Sequence, residues 1–580
     1  MLPGGTDMTK RRRNENYPLS FVFLASLLSP TAPAATPEAW WRSAVLYHIY
    51  PRSFQDSNGD GVGDLKGITS RLEYLASLGV DGLWLSPVYP SPHYDHGYDI
   101  ADYYGVDPLF GTSADLEELI AEAHRRGLKI VLDMVLNHTS HLHPWFQGAV
   151  KGNKTPTRDF YVWRKGRGKH GELPPNNWIT SFGERAWTRE AQSGEWYYHQ
   201  FSRFQPDLNY TNPAVEAAMF SVFDHWIAKG VDGFRLDVIG ALFEDPDFPD
   251  NPRCLQGPPS DLNMRWLFQE HRYDWNRPET LRLVQRLRAH VEGLDPRVLL
   301  LGETLGPPET VRSFYGQQGD GLHLAFNFSL ASHSISKTPY RARAFAERIA
   351  RIETTLPDPL WPCYAFSNHD RSRIISQHGG DRAKAMLLSF VLLTLRGTPV
   401  LYYGEELGMR NVRVPRARLQ DPLGKKFWPL PVSRDAGRTP MQWNETPGAG
   451  FSTADPNRFW LPLSPDAGLI NVVRQLEEDT SLLRFHADLL ALRREQLALS
   501  GGSLRLLPLS NSEVLAYVRS EANDHRLILA HFGARTTEVA LQELPSLSEL
   551  LFHSNGVAPH ILHGNLRLGP HQGAIYSIDP

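Results

Sequence analysis

Residues 44–50 read AVLYHIY, residues 67–79 read GITSRLEYLASLG, and residues 81–87 read DGLWLSP. The first and third stretches are short apolar runs, which indicate buried strands. In the stretch between them, apolar residues recur every three or four positions, which indicates a helix with one buried face. A strand, a helix and a second strand in this order predict a βαβ unit, the repeating unit of α/β proteins.

The same alternation continues along most of the chain. Six further strand patterns follow: LKIVLDMVL (128–136), VDGFRLDVI (231–239), RVLLLGET (297–304), LHLAFNF (322–328), CYAFSNHD (363–370) and TPVLYYGEE (398–406). Helical patterns such as DRAKAMLLSFVLLTLR (381–396) separate them, and Thr112 and Asp115 have the spacing of a helix-capping box. Eight strands alternating with helices predict an α/β fold, the (β/α)8 TIM barrel.

Two segments depart from this alternation and predict further domains. Residues 138–205 contain stretches such as PPNNWITSFG and GEWYYHQFSRFQ, rich in aromatic residues, Gly and Pro and without a helical period. Because this segment is far longer than a crossover needs, we predict a small inserted domain after the third strand. Short alternating runs in residues 499–580 predict a C-terminal antiparallel β-sandwich domain. The barrel then consists of residues 36–137 and 206–498.

Residues 1–35 differ from the rest of the chain. They combine a basic cluster at 10–13, an apolar run at 19–28 and the sequence APAA at 32–35. This order is typical of a secretory signal peptide, which predicts a periplasmic or secreted protein. A disordered extension of a cytoplasmic protein is the alternative.

Composition excludes several other classes of protein. The 580 residues are 41% apolar, and the net charge of −4 provides no basic field for nucleic acid. No apolar run outside the N-terminal segment approaches the length of a membrane helix. The two cysteines, Cys254 and Cys363, are too few for a disulfide framework, and whether they pair stays open. The oligomeric state also stays open.

Four predicted strands finish in an acidic residue, namely Asp133, Asp237, Glu303 and Asp370. The carboxyl ends of barrel strands face the mouth where active sites lie. A single acid there would be a loop cap, but four acids converging on one mouth raise one another's pKa. Some then stay protonated while others are ionised. That division suits glycoside cleavage, in which one carboxyl group donates a proton and another attacks the anomeric carbon.

Six short motifs occur in a fixed order: DMVLNH (133–138), QPDLN (205–209), GFRLDVI (233–239), GET (302–304), FSNHD (366–370) and RTPMQW (438–443). From about Trp41 through the C-terminal domain, the chain resembles glycoside hydrolase family 13, the α-amylase family, and within it exo-acting α-glucosidases and oligo-1,6-glucosidases. The resemblance implies an enzyme that releases glucose from the non-reducing end of small oligosaccharides or disaccharides. It implies no organic cofactor.

The resemblance also implies the catalytic roles. Asp237 would be the nucleophile that forms a covalent β-glucosyl enzyme, and Glu303 would be the general acid and then the base. Asp370 would hold hydroxyl groups of the sugar. Two displacements at the anomeric carbon retain its configuration. Arg235 precedes Asp237 by two residues and shares its strand face, so the guanidinium would keep Asp237 ionised.

Further residues would surround the bound glucose. By the same resemblance, His138 and His369 would form hydrogen bonds with the sugar, while a structural role is the alternative for a single histidine at a strand end. Asp133 would support the site from behind.

The motif YDHGYDI (94–100) resembles the floor of the family's glucose pocket. Asp95 would bind the sugar and Tyr98 would stack on it. Arg438, or failing that Arg434, would pair with Asp95 and close the inner end of the pocket. A closed end favours removal of one glucose at a time, whereas a structural ion pair far from substrate is the alternative.

Residues 56–64 read DSNGDGVGD, an alternation like that of an EF-hand loop, but Gly67 occupies the twelfth position where that motif requires Glu. In close relatives the loop after the first strand binds one calcium ion. The resemblance therefore implies a structural Ca²⁺, and a metal-free Asx turn is the alternative. The predicted ligands are Asp56, Asn58, Asp60, the Val62 carbonyl and Asp64.

The preferred linkage is less strongly indicated. Val238 resembles the residue of α-1,6-acting members, whereas LQDPLGKKFWP (419–429) and VSRDAGRTPMQW (432–443) look equally like α-1,4-acting ones. Gly240 stands where many relatives have Asn. We expect small α-glucosides in general, with α-1,6 links slightly favoured. The alternatives are a glucosyltransferase or isomerase of the trehalose synthase or sucrose isomerase type, and a non-catalytic, transporter-associated relative.

Overall fold

The structure is a computed structural model that describes residues 39–152, 154–254, 264–266, 268–331 and 339–579. The segment predicted as a signal peptide, residues 1–35, lies outside the described residues, so export stays a prediction. Among the described residues, no helix has the length and apolar character needed to cross a membrane.

Eight parallel strands form the central sheet. In chain order they are β1 (Leu46–Ile49), β2 (Gly82–Leu85), β3 (Lys129–Val135), β4 (Gly233–Asp237), β5 (Leu299–Gly302), β6 (Leu324–Ala325), β7 (Cys363–Ala365) and β8 (Thr398–Tyr402). The spatial order is β6-β5-β4-β3-β2-β1-β8-β7. A parallel bridge between Phe326 and Cys363 joins the two ends of this series. The predicted (β/α)8 barrel is confirmed.

Helices connect the strands around the outside. The long ones are Ser113–Arg125, Pro213–Ala228, Pro278–Leu294, Ala342–Thr355, Arg382–Thr394 and Leu482–Glu495. Shorter helices are Pro51–Phe54, Leu65–Ser70, Leu72–Leu78, Pro144–Ala149, Pro308–Ser313, Ile374–Gln377, Pro422–Lys426, Val472–Glu477 and Leu497–Ser500. The Thr112 side chain accepts from the Asp115 N–H, and Asp115 accepts in return, so the predicted capping box begins helix Ser113–Arg125.

The segment between β3 and helix Pro213–Ala228 contains a small antiparallel sheet. Its strands are Trp163–Arg164, Trp196–Tyr198 and Trp187–Arg189, in that spatial order. Trp178, Trp187 and Tyr198 are buried in a separate aromatic core with Phe248 from the barrel side. Aromatic residues therefore supply the apolar interior of this insertion, since long aliphatic runs are absent from its sequence.

The C-terminal part is an antiparallel β-domain of two sheets. Ser503–Leu506, Val514–Glu521, Asp524–His531, Gly573–Ile578 and Leu547–His553 form one sheet, and Thr537–Ala540, Asn565–Leu568 and His560–Leu562 form the other. Residues from both sheets, including Leu529 and Leu566, share one apolar core. The two antiparallel sheets confirm the predicted C-terminal antiparallel β-domain.

The interior of the barrel is packed with side chains rather than open. Trp84, Val131, Leu301, Phe326 and Val400 come from five different strands or strand ends and form one buried cluster. This filled core supports the residues at the carboxyl ends of the strands, where Arg235 is completely buried.

Candidate active site

The predicted catalytic residues lie at one end of the barrel because each stands at or just after the end of a parallel strand. Asp237 is the last residue of β4, Glu303 follows β5, and Asp370 follows β7 by five residues. Asp133 lies within β3, the neighbour of β4, and is paired in register with Arg235.

Arg235 brings three of these carboxyl groups together. Its Nη1 atom lies 2.8 Å from Asp133 and 2.7 Å from Asp237, and its Nη2 atom lies 2.6 Å from Glu303. The backbone N–H of Val238 also donates to Glu303, at 3.2 Å. The structure therefore places Asp237 and Glu303 beside each other, held by one cation.

The charges of this cluster do not balance. One guanidinium faces three carboxyl groups, so a fully ionised cluster would carry an excess of negative charge in a buried place. Burial raises the pKa of Asp237, an effect that Arg235 opposes and that the carboxyl groups of Glu303 and Asp133 reinforce. Burial also raises the pKa of Asp133 to about 6. The cluster therefore readily takes up a proton, as an acid–base pair requires.

A second ion-pair cluster lies beside the first. Its contacts correct the prediction of which arginine pairs with Asp95. Arg434, the second choice of the sequence analysis, makes the ion pair with Asp95, at 2.8 Å. Arg438, the first choice, instead donates to the His369 carbonyl at 2.7 Å and to Asp370 at 2.9 Å. The Nε and Nη2 atoms of Arg438 therefore both contact residues 369–370 rather than Asp95.

Arg434 links three acids. Besides Asp95 it contacts Asp370 at 3.1 Å and Asp421 at 2.8 Å. Although Asp370 is largely buried, His369 and the guanidinium groups of Arg434 and Arg438 lower its pKa well below the usual range. Asp370 is therefore ionised at neutral pH, as a group that accepts hydrogen bonds from sugar hydroxyls should be.

The predicted sugar-contacting rings form a connected group. The Tyr98 hydroxyl lies 2.8 Å from His369 Nε2 and donates to Asp133 at 3.0 Å. The rings of Tyr98 and His369 are nearly parallel, 5.3 Å apart. Burial lowers the pKa of His138 to about 3, so this imidazole is neutral and serves as a hydrogen-bonding group.

One further residue belongs to this group but was not predicted. Gln205 Nε2 lies 3.0 Å from His138 Nε2 and donates to Asp95 at 3.2 Å. It is completely buried. Gln205 is the first residue of the QPDLN motif, so the motif contained the signal, although its contacts with the site depend on the path of the inserted segment.

The predicted calcium ligands Asp56, Asn58, Asp60, Val62 and Asp64 lie in the loop between helices Pro51–Phe54 and Leu65–Ser70. Both oxygens of Asp56 and of Asp64 accept hydrogen bonds from N–H or hydroxyl groups. The predicted ligand atoms of this loop are all oxygens, the ligand type that a hard cation prefers. No group of three or more acidic, His or Cys side chains in the described residues is arranged to hold a metal ion. Calcium therefore stays a prediction.

Comparison with known proteins agrees with this site. Residues 48–502 match the family model described as the alpha-amylase catalytic domain. The chain therefore belongs to the α-amylase family of glycoside hydrolases, family 13, and is a glycoside hydrolase.

Two curated relatives are similar over nearly their whole length. A probable alpha-glucosidase of Rhizobium meliloti (strain 1021) is 39% identical over 93% of this chain and 97% of the relative. An oligo-1,6-glucosidase of Halalkalibacterium halodurans is 36% identical over 93% of this chain and 98% of the relative.

The similar proteins with solved structures include enzymes named for a second kind of activity. An alpha-glucosyl transfer enzyme, XgtA, has a TM-score of 0.86 and 38% identity over 93% of this chain and 99% of that one. An isomaltulose synthase from Klebsiella sp. LX3 has a TM-score of 0.83 and 32% identity, with the same shares covered. The relatives thus include enzymes named for hydrolysis and enzymes named for transfer or isomerisation.

Proposed function

We propose that this chain is a retaining, exo-acting α-glucosidase that removes glucose from the non-reducing end of short α-glucosides. The observation that carries the proposal is the Arg434–Asp95 ion pair, at 2.8 Å, beside the Arg235 cluster. In this proposal the pair closes the inner end of the glucose pocket, as the resemblance to the family implies. A pocket closed at that end accepts a terminal glucose and excludes a chain that would have to run through it.

The first chemical step follows from the two carboxyl groups on Arg235. Glu303, protonated, donates its proton to the glycosidic oxygen, while the Asp237 carboxylate attacks the anomeric carbon. The bond to the leaving group breaks, and glucose is joined to Asp237 as an ester. Arg235 contacts both carboxyl groups and holds them next to each other.

The second step reverses these roles. Glu303, now ionised, takes a proton from water, and the water oxygen attacks the anomeric carbon and releases Asp237. The ionised Asp370 accepts hydrogen bonds from sugar hydroxyls as the ring acquires positive charge. Val238 supports a slight preference for α-1,6 over α-1,4 links.

An isomerase or glucosyltransferase is the second candidate. It uses the same covalent intermediate but lets a sugar hydroxyl attack in place of water. The structural similarity to an isomaltulose synthase and an alpha-glucosyl transfer enzyme favours this alternative.

Product analysis separates the two candidates. The purified protein is incubated separately with maltose, isomaltose and sucrose, and every product is identified over time. Free glucose, released faster from isomaltose, supports the proposed hydrolase. Rearranged or lengthened sugars as main products assign the chain to transfer, and absence of turnover on all three sugars contradicts both.

A further inference from the structure

Trp84 connects the packed core of the barrel with the carboxyl cluster around Arg235. It lies in β2, is completely buried and belongs to the apolar cluster inside the barrel. Its indole N–H donates to Asp133 Oδ2 at 3.1 Å. The Arg235 guanidinium lies over its ring, 5.0 Å from the ring centroid, within the range of a cation–π contact. One core residue therefore contacts two members of the carboxyl cluster.

His48 holds the ring of Trp84 in place. The two residues are paired in register on β1 and β2, and their rings stack with centroids 3.6 Å apart and planes 11° apart. The other attachment of the imidazole is at Nε2, which lies 2.9 Å from Ser86 Oγ. Burial lowers the pKa of His48 well below its usual range, so the stacked ring is neutral. The Trp84 N–H therefore has one fixed direction, and an indole nitrogen donates but does not accept.

The Asp133 carboxyl group is surrounded by hydrogen-bond donors. Arg235 Nη1 lies 2.8 Å from Oδ1 and 3.0 Å from Oδ2. The Tyr98 hydroxyl and the Trp84 N–H both donate to Oδ2, at 3.0 and 3.1 Å. A proton on either oxygen would face one of these N–H or O–H groups, so the donors favour the ionised form. The Tyr98 hydroxyl can turn toward His369 Nε2, 2.8 Å away, whereas the stacked Trp84 cannot turn.

Glu303 and Asp133 compete for the proton of the cluster. The proposed mechanism requires this proton on Glu303 when substrate binds. Arg235 and the Val238 N–H both contact Glu303 at Oε2, so Oε1 can carry a proton without facing those donors. Burial raises the pKa of Asp133 to about 6, which makes Asp133 the competitor near neutral pH. Each donor removed from Asp133 therefore moves the proton away from Glu303.

We propose that Trp84 is a positioning residue that keeps Asp133 ionised and so directs the proton of the cluster to Glu303, an inference that rests on the catalytic roles proposed above. The proton concerned is the one that Glu303 gives to the glycosidic oxygen. Trp84 acts on it through Asp133, without contact with the sugar.

The other titratable groups that face Asp133 or Trp84 keep one form near neutral pH. They are His48, His369, Tyr89, Tyr98 and Arg235. Burial lowers the pKa of both histidines and raises the pKa of both tyrosines. Although burial opposes its charge, the surrounding carboxyl groups raise the pKa of Arg235. The proton is therefore exchanged among the carboxyl groups of Asp133, Asp237 and Glu303.

The pH profile of kcat/KM for the disaccharide that the enzyme cleaves fastest tests the proposal. Trp84→Phe removes the N–H donor and keeps most of the ring area. We expect the plateau to fall about threefold to tenfold and the alkaline limb to move up by about 0.5 to 1 pH unit, because Asp133 then binds the proton more tightly. A lower plateau with an unchanged limb contradicts the proposal, since loss of packing alone would give that result. Absence of cleavage by the unmodified protein contradicts the proposed function itself.

Two substrates separate a misplaced proton from a distorted site. Maltose needs a proton on its leaving oxygen, whereas p-nitrophenolate leaves p-nitrophenyl α-glucoside readily without one. Trp84→Phe should therefore lower kcat/KM for maltose by a factor about threefold larger than the factor for p-nitrophenyl α-glucoside. Equal losses on the two substrates overturn the proposal.

Further variants locate the effect. Trp361→Phe is the matched control, because Trp361 belongs to the same buried cluster but precedes β7, at the opposite end of the barrel. It should change neither the limb nor the ratio between substrates. In an Asp133→Asn background, Trp84→Phe should leave the limb where it is, because the amide takes no proton. A further shift in that background contradicts the proposal.

A closer replacement keeps the test decisive if circular dichroism shows that Trp84→Phe does not fold. Benzothienylalanine at position 84 keeps the shape of the side chain and replaces the N–H by sulfur. We expect the same upward shift of the alkaline limb with this side chain. An unshifted limb contradicts the role of the Trp84 N–H.

Discussion

At the scale of a single residue, two opposing effects act on the pKa of Asp237. Burial raises its pKa, and the Arg235 contact at 2.7 Å favours its ionised form. A nucleophile must be ionised when substrate binds, so the Arg235 contact is the interaction on which the proposed chemistry depends. The same guanidinium also contacts Glu303, at 2.6 Å.

The first prediction concerns this nucleophile. We expect Asp237→Asn to lower kcat for disaccharide cleavage by at least about 10⁴-fold, because the amide cannot form the glucosyl ester. The near-equal volume of the two side chains should leave the fold intact. Steady-state kinetics and circular dichroism measure the two effects. Activity within tenfold of the unmodified protein would show that Asp237 is not the nucleophile.

A second prediction concerns Arg434, the residue proposed to close the pocket together with Asp95. Arg434→Ala should lower kcat/KM for maltose by about 10- to 100-fold, because it leaves Asp95 and Asp421 buried without their cation. Arg416→Ala is the matched control, since Arg416 lies in the same long connection after β8 and is exposed. If both variants behave alike, the ion pair with Asp95 has no role in binding.

Residue by residue, the sequence predicts the strand-end acids better than it predicts their partners. Asp237, Glu303 and Asp370 follow apolar runs, and a strand end is a local property of the chain. The choice between Arg434 and Arg438 depends on the path of the loop after β8, which sequence does not specify. Gly240 is a second residue whose surroundings the sequence does not specify. In the structure, a Cβ atom at this position would lie 2.5 Å from Asn276 Oδ1.

At the scale of elements, the barrel strands are predictable because buried parallel strands are near-continuous apolar runs. The inserted segment is harder to predict, because its strands are only two or three residues long and its core consists of aromatic side chains. Its existence follows from length alone, but its contacts with the site, through Gln205, require the structure.

The prediction at the scale of elements concerns calcium binding by the loop of residues 56–64. If it binds calcium, added Ca²⁺ should raise the melting temperature relative to EDTA, because ligand binding to the native state stabilises it. Asp60→Asn should reduce this shift, since it removes one charged ligand but keeps an acceptor for the Val62 N–H. Thermal unfolding with Ca²⁺, Mg²⁺ and EDTA measures the effect. Equal melting temperatures in all three would favour the metal-free Asx turn.

At the scale of the whole molecule, Asp207 joins the inserted segment to the barrel. It is completely buried, it accepts from the Gln200 N–H at 3.0 Å, and its backbone bridges to His138. Burial, reinforced by the carboxyl group of Asp274, raises its pKa from 3.8 to about 8. The native protein therefore keeps a proton that the unfolded chain releases at lower pH.

This raised pKa makes the free energy of unfolding depend on pH. Between these two pKa values the native state binds more protons than the unfolded state, so the free energy of unfolding falls as pH rises. Asp207→Asn should reduce this fall between pH 5.5 and 8.5 by about 1–3 kcal/mol, because the neutral amide resembles the protonated acid. Asp247→Asn, at an exposed position, is the control. Urea unfolding at both pH values measures the difference, and identical slopes would contradict a protonated Asp207.

If the Arg434–Asp95 ion pair closes the inner end of the pocket as proposed, it also determines how the enzyme would respond to mixtures of substrates. An enzyme that admits chain termini alone responds to the number of molecules, not to the mass of sugar. At equal mass and below saturation, a mixture of short chains would therefore yield glucose faster than a mixture of long ones. Adding branches to a long chain would restore the rate, since each branch supplies another terminus.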